Sequence, residues 1–222
     1  NGDATILKRM YNSSSTEGVI TLTSVEGCRV ENLQIDGNKA TYTAIYNSGI
    51  YLSSSSNNTV TGNTCNNSNR GIYLDSSSNN TVTDNTCNNN NSYGISLSSS
   101  SSDNTVTGNT CNNNIYGISL SFSSNNTVTD NTCNNNIYGI YLDSSNSDNT
   151  VTGNTCNNNS LGIYLSTSSN NTITGNTCNN NNTGISLSSS SDNTVTGNTC
   201  IRGTGTPEDY TTNQYTILLS GT

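Results

Sequence analysis

The sequence predicts an all-β protein, a single-stranded parallel β-solenoid of about nine coils with about 22 residues in each. Three observations predict it. Only 28% of the 222 residues are apolar, one threonine- and cysteine-containing motif recurs seven times, and a second strand-like element recurs between its copies. The apolar fraction is far below the usual ~45–50% of globular domains, so one round core is not expected. Stacked repeats can fold with so few apolar residues, because each coil buries its small core against the neighbouring coils.

The repeated motif is Thr-Val-Thr followed by a cysteine, as in "NNTVTGNTCNNN" from Asn57. Its central aliphatic residue recurs at steps of 22 to 24 residues, and a cysteine follows each one by five positions. The aliphatic residues are Val60, Val82, Val106, Val128, Val151, Ile173 and Val195, and the cysteines are Cys65, Cys87, Cys111, Cys133, Cys156, Cys178 and Cys200. The second element, Gly-Ile-(Tyr/Ser)-Leu, begins at Gly49, Gly71, Gly94, Gly117, Gly139, Gly162 and Gly184. Extra residues fall only in the polar stretches between these elements, as expected of turns.

Each element is too short for a helix and alternates with the period of two that is typical of a strand. Three short strands and three turns describe one triangular coil, and equivalent strands of successive coils would stack ~4.8 Å apart in parallel sheets. The alternation places Val60, Cys65 and Ile72 inward with their counterparts in every coil, and Thr59 and Tyr73 outward. The core is therefore expected to be a narrow column.

Asparagines before the Thr-Cys element are expected to stack at one corner of the coil. Each side-chain amide could then hydrogen-bond to its copies above and below, which satisfies turn groups without water. These residues are Asn63, Asn85, Asn109, Asn131, Asn154, Asn176 and Asn198. The repeat is thus interpreted chiefly as a stacking pattern.

The ends of the chain are less regular than its middle. Residues 28–200 are predicted to form the repeats, with 1–27 as an N-terminal strand and cap region and 201–222 as a C-terminal one. Cys28 falls at a corner, outside the regular series of cysteines. The ends of a solenoid expose strand edges and core, and therefore require caps. Since both tails are short, end-to-end stacking of subunits remains open.

Charge and hydropathy exclude some partners. Six basic and 14 acidic residues give a net charge of −8, so the surface should repel nucleic acid and anionic lipid. No run of ~18 apolar residues is present, and no membrane span is predicted. The chain begins without an initiating Met or a signal peptide. We expect either a mature, processed chain or a fragment, exported to the cell surface or outside the cell.

These residues resemble those of the right-handed parallel β-helix repeat proteins. Members of this family carry runs such as Asn-x-(Ile/Val)-x-x-Asn-x-(Ile/Cys)-x-x-Asn-x-x-Gly-Ile-x-Leu, and the match extends from Cys28 to Ile201. The resemblance implies a right-handed coil. The family includes polysaccharide lyases and hydrolases, periplasmic accessory proteins and many surface proteins. This Asn-, Thr- and Cys-rich version is most similar to the surface proteins of methanogenic archaea.

The regular cysteines form a predicted structural ladder, with two interpretations. Adjacent Cα atoms ~4.8 Å apart fall within the disulfide range of about 4.4–6.8 Å, although parallel side chains give a poor S–S torsion. Alternatively, each thiol is a small buried hydrophobe that fills a narrow core. A metal site needs converging ligands, which a linear stack does not supply. We therefore expect no metal and no other cofactor.

The acidic residues of the repeat do not cluster. Asp84 and Asp130 would lie two rungs apart, ~9–10 Å, and Asp75 and Asp143 three rungs apart. A carboxylate pair about 6.5–9.5 Å apart can hydrolyse a glycoside with inversion, but no His, Lys or Arg lies nearby in the repeat. We therefore predict no catalytic residues and no enzymatic activity. Relationship to a polysaccharide lyase or hydrolase is kept as an alternative.

Two outward arrays could bind a ligand. Paired threonines form a flat grid, ~6.6–7 Å along each strand and ~4.8 Å between rungs, similar to the Thr-x-Thr faces of ice-binding solenoids. The pairs are Thr59/Thr61, Thr81/Thr83, Thr105/Thr107, Thr127/Thr129, Thr150/Thr152, Thr172/Thr174 and Thr194/Thr196. The simpler interpretation is that threonine favours exposed strands. Tyrosines at Tyr51, Tyr73, Tyr93, Tyr116, Tyr138, Tyr141 and Tyr164 could form a sugar-binding strip or merely stack rung on rung.

The sequence therefore predicts a structural protein of a cell surface or extracellular assembly that could self-assemble end to end into a filament. Its expected partners are copies of itself, other surface proteins or glycans. The alternative is an ice- or carbohydrate-binding solenoid that uses the Thr-x-Thr or Tyr faces. Asn-x-Thr sequons at Asn57, Asn79, Asn125 and Asn170 are consistent with an exported, glycosylated chain, although Asn-rich turns also generate them by chance.

Overall fold

The computed structural model describes residues 6–201 and 215–220. Within these ranges the chain consists of short strands and turns without a helix, and all strand pairs are parallel. No helix long and apolar enough to cross a membrane occurs in this part of the chain. The predicted parallel β-helix is thereby confirmed.

Three sheets form the sides of the coil. The Gly-Ile sheet has nine strands: β2 (Glu17–Thr23), β5 (Asn47–Ser53), β8 (Arg70–Asp75), β10 (Tyr93–Ser98), β12 (Tyr116–Ser121), β14 (Tyr138–Asp143), β16 (Leu161–Ser166), β18 (Thr183–Ser188) and β20 (Tyr215–Ser220). The Thr-Val-Thr sheet has eight: β3 (Arg29–Glu31), β6 (Thr59–Thr61), β9 (Thr81–Thr83), β11 (Thr105–Thr107), β13 (Thr127–Thr129), β15 (Thr150–Thr152), β17 (Thr172–Thr174) and β19 (Thr194–Thr196). The Thr-Cys sheet contains β1 (Ile6–Lys8), β4 (Gln34–Asp36) and β7 (Thr64–Asn66), and single bridges between threonines continue it to Thr199.

The strand register places equivalent residues of successive coils next to each other, so that each inward position of the repeat forms a column along the axis. Val106 lies between Val82 and Val128, for example. The four inward side chains of a coil, predicted from alternation, have 0% exposure in five successive coils, from Val60 to Leu165. The core is therefore a dry column of aliphatic groups and thiols that runs along the axis.

Asparagine amides close the corners, as the sequence predicts for the column from Asn63 to Asn198. The backbone N–H of Asn131 donates to Oδ1 of Asn154 at 3.0 Å, and its Nδ2 donates to the same oxygen at 3.0 Å and to Val106 O at 2.9 Å. Two similar buried columns, Asn58 to Asn193 and Asn90 to Asn181, were not predicted. Together they satisfy the turn backbone without water.

Residues in the left-handed conformation, with positive φ, form the corners of the coil. Nearly all are Asn, Asp, Ser or Gly, residues whose short side chains tolerate positive φ. The need for positive φ at the corners of every coil explains why the composition is so rich in asparagine and serine. Phe122, with φ +50°, is an outlier among them, because a bulky side chain seldom adopts this conformation.

The two ends of the stack differ. Near the N-terminus, Arg9 is buried and its Nη2 donates to Ser48 O at 2.9 Å, while the first-coil residue Leu22 is only 8% exposed. At the other end, Ile217 and Leu219 of β20 are 47% and 69% exposed. Most of the predicted C-terminal cap region 201–222 lies outside the described residues, as do residues 1–5 of the N-terminal one.

All eight cysteines lie within the described residues, and each is a free thiol. Burial raises the pKa of Cys65 and Cys111 well above the usual range, so that these thiols stay protonated. Because the thiolate is the reactive form, we expect iodoacetamide at pH 8 to label the exposed Cys28 quickly and the half-buried Cys200 slowly. The other six should react only after unfolding. Mass spectrometry would count the labels, and a deficit of labels after unfolding without reductant would instead indicate disulfides.

Candidate functional site

The outer face of the Gly-Ile sheet carries seven tyrosines in neighbouring rungs, here called the tyrosine strip. Its members are Tyr51, Tyr73, Tyr93, Tyr116, Tyr138, Tyr141 and Tyr164. They occupy two outward columns, one just before the repeated glycine and one between the isoleucine and the leucine. The strip extends over the six strands from β5 to β16, a length of ~24 Å at ~4.8 Å for each step.

The rings form continuous stacks. Tyr93, Tyr116 and Tyr138 stack with centroid separations of 4.9 and 5.0 Å. Tyr141 joins this stack at 5.4 Å from Tyr116 and continues to Tyr164 at 5.3 Å. The interplanar angles of these four pairs lie between 8° and 19°. Since the faces of the rings cover one another, the stack presents ring edges and phenol hydroxyl groups to the outside.

Two serines allow the strip to cross from one column to the other. Ser96 and Ser119 occupy the column that holds Tyr73 and Tyr141 in other coils, and they are only 6% and 4% exposed. Because Tyr116 stacks on Tyr141, its ring must lean across this second column. A small side chain below the ring leaves the space for it.

A polar cluster lies at the N-terminal part of the strip. The guanidinium carbon of Arg70 lies 4.4 Å from the centroid of the Tyr73 ring. The hydroxyl groups of Tyr73 and Ser98 are 2.7 Å apart, and Ser98 donates to Asp75 Oδ1 at 3.3 Å. Tyr51 donates to Asp75 Oδ2 at 3.4 Å. The cluster thus combines a cation, a carboxylate and two phenols on the outer face of the sheet, where Tyr51 is buried and the other side chains are half-buried.

Burial affects the pKa of two phenols in the tyrosine strip, those of Tyr73 and Tyr141. It raises the pKa of Tyr73, and it also raises the pKa of Tyr141, where the neighbouring Asp143 adds to the effect. Both hydroxyl groups are therefore protonated donors at neutral pH. Within the described residues the buried Nη1 of Arg70 has no hydrogen-bond partner, which leaves one donor uncommitted.

A shallow groove of about 530 Å³ runs along the corner beside the strip. It is lined by Asn114, Asn135, Asn136, Ile137, Asn158, Asn159, Ser160, Asn180 and Asn182. Ile137, the residue before Tyr138, is 45% exposed. Asn135, Asn158 and Asn180 are exposed left-handed residues of successive coils. The groove therefore offers a row of free amides next to an apolar side chain.

The predicted threonine face lies on a different side of the coil. Its pairs flank the buried valines of the Thr-Val-Thr sheet, in register from coil to coil. The side chains from Thr59 to Thr174 are half-buried, and Thr194 and Thr196 are exposed. The predicted cysteine ladder lies inside: six thiols are buried in successive coils, and Cys200 is half-buried. Neither set contributes to the tyrosine strip.

Asp84 and Asp130 lie at exposed left-handed turns, with φ of 54° and 53°. A Cβ atom on Gly108, in the coil after Asp84, would lie 2.5 Å from the Asp84 Oδ1 atom. The carboxylate thus covers the next glycine rather than meeting a second carboxylate. Only such acidic pairs were considered as catalytic groups from the sequence. The Arg70–Tyr73 contact was missed although both residues lie on β8, because strict alternation places residues three apart on opposite faces of a strand.

A stack of parallel coils with an outward aromatic strip defines the class: this is a β-helix protein with a candidate ligand-binding face. The chain belongs to the right-handed β-helix family, whose model matches residues 2–156, and to the family described as periplasmic copper-binding protein (NosD), whose model matches residues 99–214. No curated protein matches the sequence.

Several solved structures share the fold. The periplasmic alginate epimerase AlgG is 22% identical, with a TM-score of 0.62 over 75% of this chain and 43% of its own. The surface protein and adhesin PfbA of Streptococcus pneumoniae is 16% identical, with a TM-score of 0.70 over 96% and 66%. The enzymatically active domain of tailspike protein 2 of bacteriophage CBA120 is 15% identical, with a TM-score of 0.71 over 94% and 36%. The chain thus spans less than two thirds of each of these proteins.

These structures correct the prediction that the chain is not an enzyme. An epimerase and an enzymatically active tailspike domain have the same fold, so the fold is compatible with catalysis and the exclusion of an enzyme does not hold. The exclusion was wrong because it rested on the absence of clustered carboxylates in the sequence. Arg70, Tyr73 and Asp75 lie on the single strand β8, and the neighbouring coils add Ser98 and Tyr51 to this polar cluster.

Copper is the metal named in one family description, and the described residues do not fit it. The sequence contains no histidine and a single methionine, Met10. No group of three or more His, Cys, Asp or Glu side chains converges within residues 6–201 and 215–220. Soft thiolates suit copper, but the thiols here are stacked in a line inside a closed core.

Proposed function

We propose that this chain is a glycan-binding β-helix of the cell surface or extracellular space, and that it holds an extended polysaccharide along the tyrosine strip. The observation that carries the proposal is the continuous stack of tyrosines beside the groove of free amides. Tyrosine joins an apolar ring to a polar tip, the combination that suits a sugar with both kinds of surface.

The spacing of the strip supports an extended ligand. Phenol groups recur about every rung, with ring separations of 4.9 to 5.4 Å, a distance comparable to the length of one pyranose residue. A polysaccharide parallel to the solenoid axis would therefore meet a hydroxyl group at each sugar. The amides of Asn135 and Asn158 would bond to its other side, and Ile137 would contact an apolar patch of the sugar. The alginate named for AlgG and the adhesin PfbA are consistent with this class of ligand.

The double substitution Tyr116→Ala with Tyr141→Ala should reduce polysaccharide affinity at least tenfold. It removes one ring from each column, together with the contacts that Tyr141 makes with Tyr116 and Tyr138 across the columns. Each tenfold change in affinity corresponds to about 1.4 kcal/mol. A glycan array would first identify the ligand, and isothermal titration calorimetry would then measure the affinity. Thr107→Ala with Thr129→Ala is the matched control, since these half-buried threonines lie in neighbouring coils on another face.

Equal loss of affinity in both double variants, or no bound polysaccharide on the array, would contradict the proposal. Circular dichroism of all variants separates loss of binding from loss of fold. Melting curves add a second check of the fold.

Chemistry on the bound glycan is a second candidate function. Arg70 would neutralise a negative charge on the sugar, and the protonated Tyr73, hydrogen-bonded to Ser98, would donate a proton to the sugar. The Asp75 carboxylate in the same cluster would accept the proton that the sugar or an attacking water loses. Tyr73→Phe keeps the ring and removes the hydroxyl group, so turnover should disappear while binding persists. Nuclear magnetic resonance of the incubated polysaccharide would detect epimerised, cleaved or unsaturated sugars. Turnover retained in Tyr73→Phe would exclude this role.

Self-association in a surface assembly remains a further proposal. The exposed Ile217 and Leu219 at the end of the stack support contact with a second copy through this end. Light scattering should then show an oligomer that Leu219→Lys dissociates. A monomer at all concentrations would exclude it.

The threonine face is proposed as an alternative binding face for ice. Its flat, in-register rows from Thr59 to Thr174 support the proposal. Thermal hysteresis and recrystallisation assays test it directly, and inactivity at high concentration would exclude it. The Asn-, Thr- and Cys-rich composition also supports a place among archaeal surface proteins. The cysteine ladder is proposed to fill the narrow core with small, buried side chains.

A further inference from the structure

The structure separates the Asn-x-Ser/Thr sequons into accessible and inaccessible ones. The sequence holds nine of them. The acceptor amides of Asn90 and Asn181 are buried and donate to Cys65 O at 3.2 Å and to Cys156 O at 2.8 Å. Asn66 is half-buried, and its Oδ1 accepts from the backbone N–H of Asn88 at 2.8 Å. These three are committed to the corner hydrogen bonds.

Four other acceptors point into solvent at one corner. Asn57, Asn79, Asn125 and Asn170 are exposed, have φ between 57° and 59°, and lie in the turn that precedes the Thr-Val-Thr sheet. The middle residue of each sequon is buried in a corner column, which fixes the acceptor in the outward direction. The threonine two residues on is the first residue of a strand and lies on its outer face. Within the described part of the chain, no hydrogen bond occupies the four amides.

The order of residues in this column spaces the acceptors. Successive coils carry Asn57, Asn79, Asp103, Asn125, Asp148, Asn170 and Asp192 at the equivalent turn. From Asn79 onward, aspartate alternates with asparagine, so that acceptors lie two rungs apart, ~9.6 Å. Aspartate keeps the left-handed turn but has no amide to modify. The alternation separates Asn79, Asn125 and Asn170 from one another and leaves lateral room for a bulky substituent on each of these three, whereas Asn57 lies only one rung, ~4.8 Å, from Asn79.

We propose that Asn57, Asn79, Asn125 and Asn170 are sites of N-linked glycosylation. The co-substrate is an oligosaccharide on a polyprenyl diphosphate. The amide Nδ2 attacks the anomeric carbon, a C–N bond forms, the bond from that carbon to the diphosphate oxygen breaks, and the diphosphate leaves with the electron pair while the amide loses a proton. The other sequons, at Asn12 and Asn158, lie outside this column and carry serine instead of threonine.

The glycosylated corner is distinct from the groove of the proposed glycan-binding face. Asn79 lies between the Gly-Ile and Thr-Val-Thr sheets, whereas Asn135 lies between the Thr-Cys and Gly-Ile sheets. Covalent glycans would therefore leave the groove open. The proposal does not depend on the proposed function, and either can fail alone.

The test uses the folded full chain with a purified oligosaccharyltransferase and a lipid-linked oligosaccharide. Glycopeptide mass spectrometry should find glycans at Asn125 and Asn170, a glycan at Asn57 or Asn79 but seldom at both in one molecule because these two lie one rung apart, and none at Asn90 or Asn181. The same chain in denaturant provides the comparison, because unfolding exposes all nine sequons. Thr127→Ala should remove the glycan at Asn125 only. Absence of glycan at the four residues in the folded chain, or equal occupancy of Asn90, would overturn the proposal.

A second variant tests the spacing. Asp103→Asn completes a sequon with Asn104 and Thr105, one rung from Asn79 and one rung from Asn125. Because rungs are only ~4.8 Å apart, occupancy of position 103 should be at least fivefold below that of Asn79, or should lower the occupancy of its two neighbours by a similar factor. Full, independent occupancy of Asn79, position 103 and Asn125 in the variant would contradict the proposal that the aspartates space the glycosylated asparagines.

Discussion

Asn131→Ala is expected to lower the free energy of unfolding by about 3–5 kcal/mol, because a buried group left without a hydrogen-bond partner costs about 1–3 kcal/mol. The Asn131 side chain is buried in the middle of its column. Its Oδ1 accepts from both N–H groups of Asn109 at 2.9 Å, and its Nδ2 donates to Val106 O. Removal of the Asn131 side chain leaves hydrogen-bonding groups in the coils on both sides without partners, and water cannot reach them to take its place.

Chemical denaturation and amide hydrogen exchange would measure this effect. Exchange should accelerate most in the coils next to Asn131, since each coil contacts only its neighbours. Asn135→Gly is the matched control: Asn135 is an exposed left-handed residue, and glycine adopts this conformation without strain. An equal loss of stability in both variants would show that the asparagine column does not stabilise the stack.

Gly117→Ala is expected to destabilise the chain by about 3 kcal/mol, at the upper end of the cost of overpacking a core. A Cβ atom on Gly117 would lie 2.5 Å from Gly139 O and 2.9 Å from the Cys133 Cβ. The first of these atoms is backbone and cannot rotate away. Glycine is therefore required here by the contact between coils, although its φ is not positive.

Gly175→Asn provides the comparison, and we expect it to change stability by less than about 1 kcal/mol, because asparagine adopts the left-handed conformation routinely. Gly175 has φ +64°, and the nearest atom to its Cβ position is 3.9 Å away. Asn32 occupies the equivalent turn in an earlier coil. Urea denaturation of both variants measures the difference. Tolerance of Gly117→Ala together with loss of stability in Gly175→Asn would reverse the assignment of the two glycines.

The core was predictable from the sequence because a local pattern is repeated in every coil. Alternation around Val60 identifies an inward residue, and the same pattern at Val82 and Val106 confirms the coil length. The asparagine column at Asn63 followed from the same argument. The columns that begin at Asn58 and Asn90 were missed although their members recur at constant positions in the repeat, because the sequence does not show which of several neighbouring asparagines in a turn points inward.

The candidate site was much less predictable. The sequence places tyrosines on an outward face, but not the crossing of Tyr116 to Tyr141 over Ser119. Nor does it place Arg70 on the Tyr73 ring. These contacts depend on rotamers and on the register between coils, which residue spacing alone does not define. The prediction that the chain is not an enzyme was wrong because it considered only the spacing of acidic residues, whereas proteins with the same fold include enzymes.

By itself, the sequence determined the coil, its period and the side chains that enter the core, because alternation and repetition are local properties of the chain. Only the tertiary structure decided which outward residues meet, which glycines are crowded by the next coil and which asparagine amides are free. Those properties arise between side chains about 22 residues apart, brought within ~5 Å by stacking.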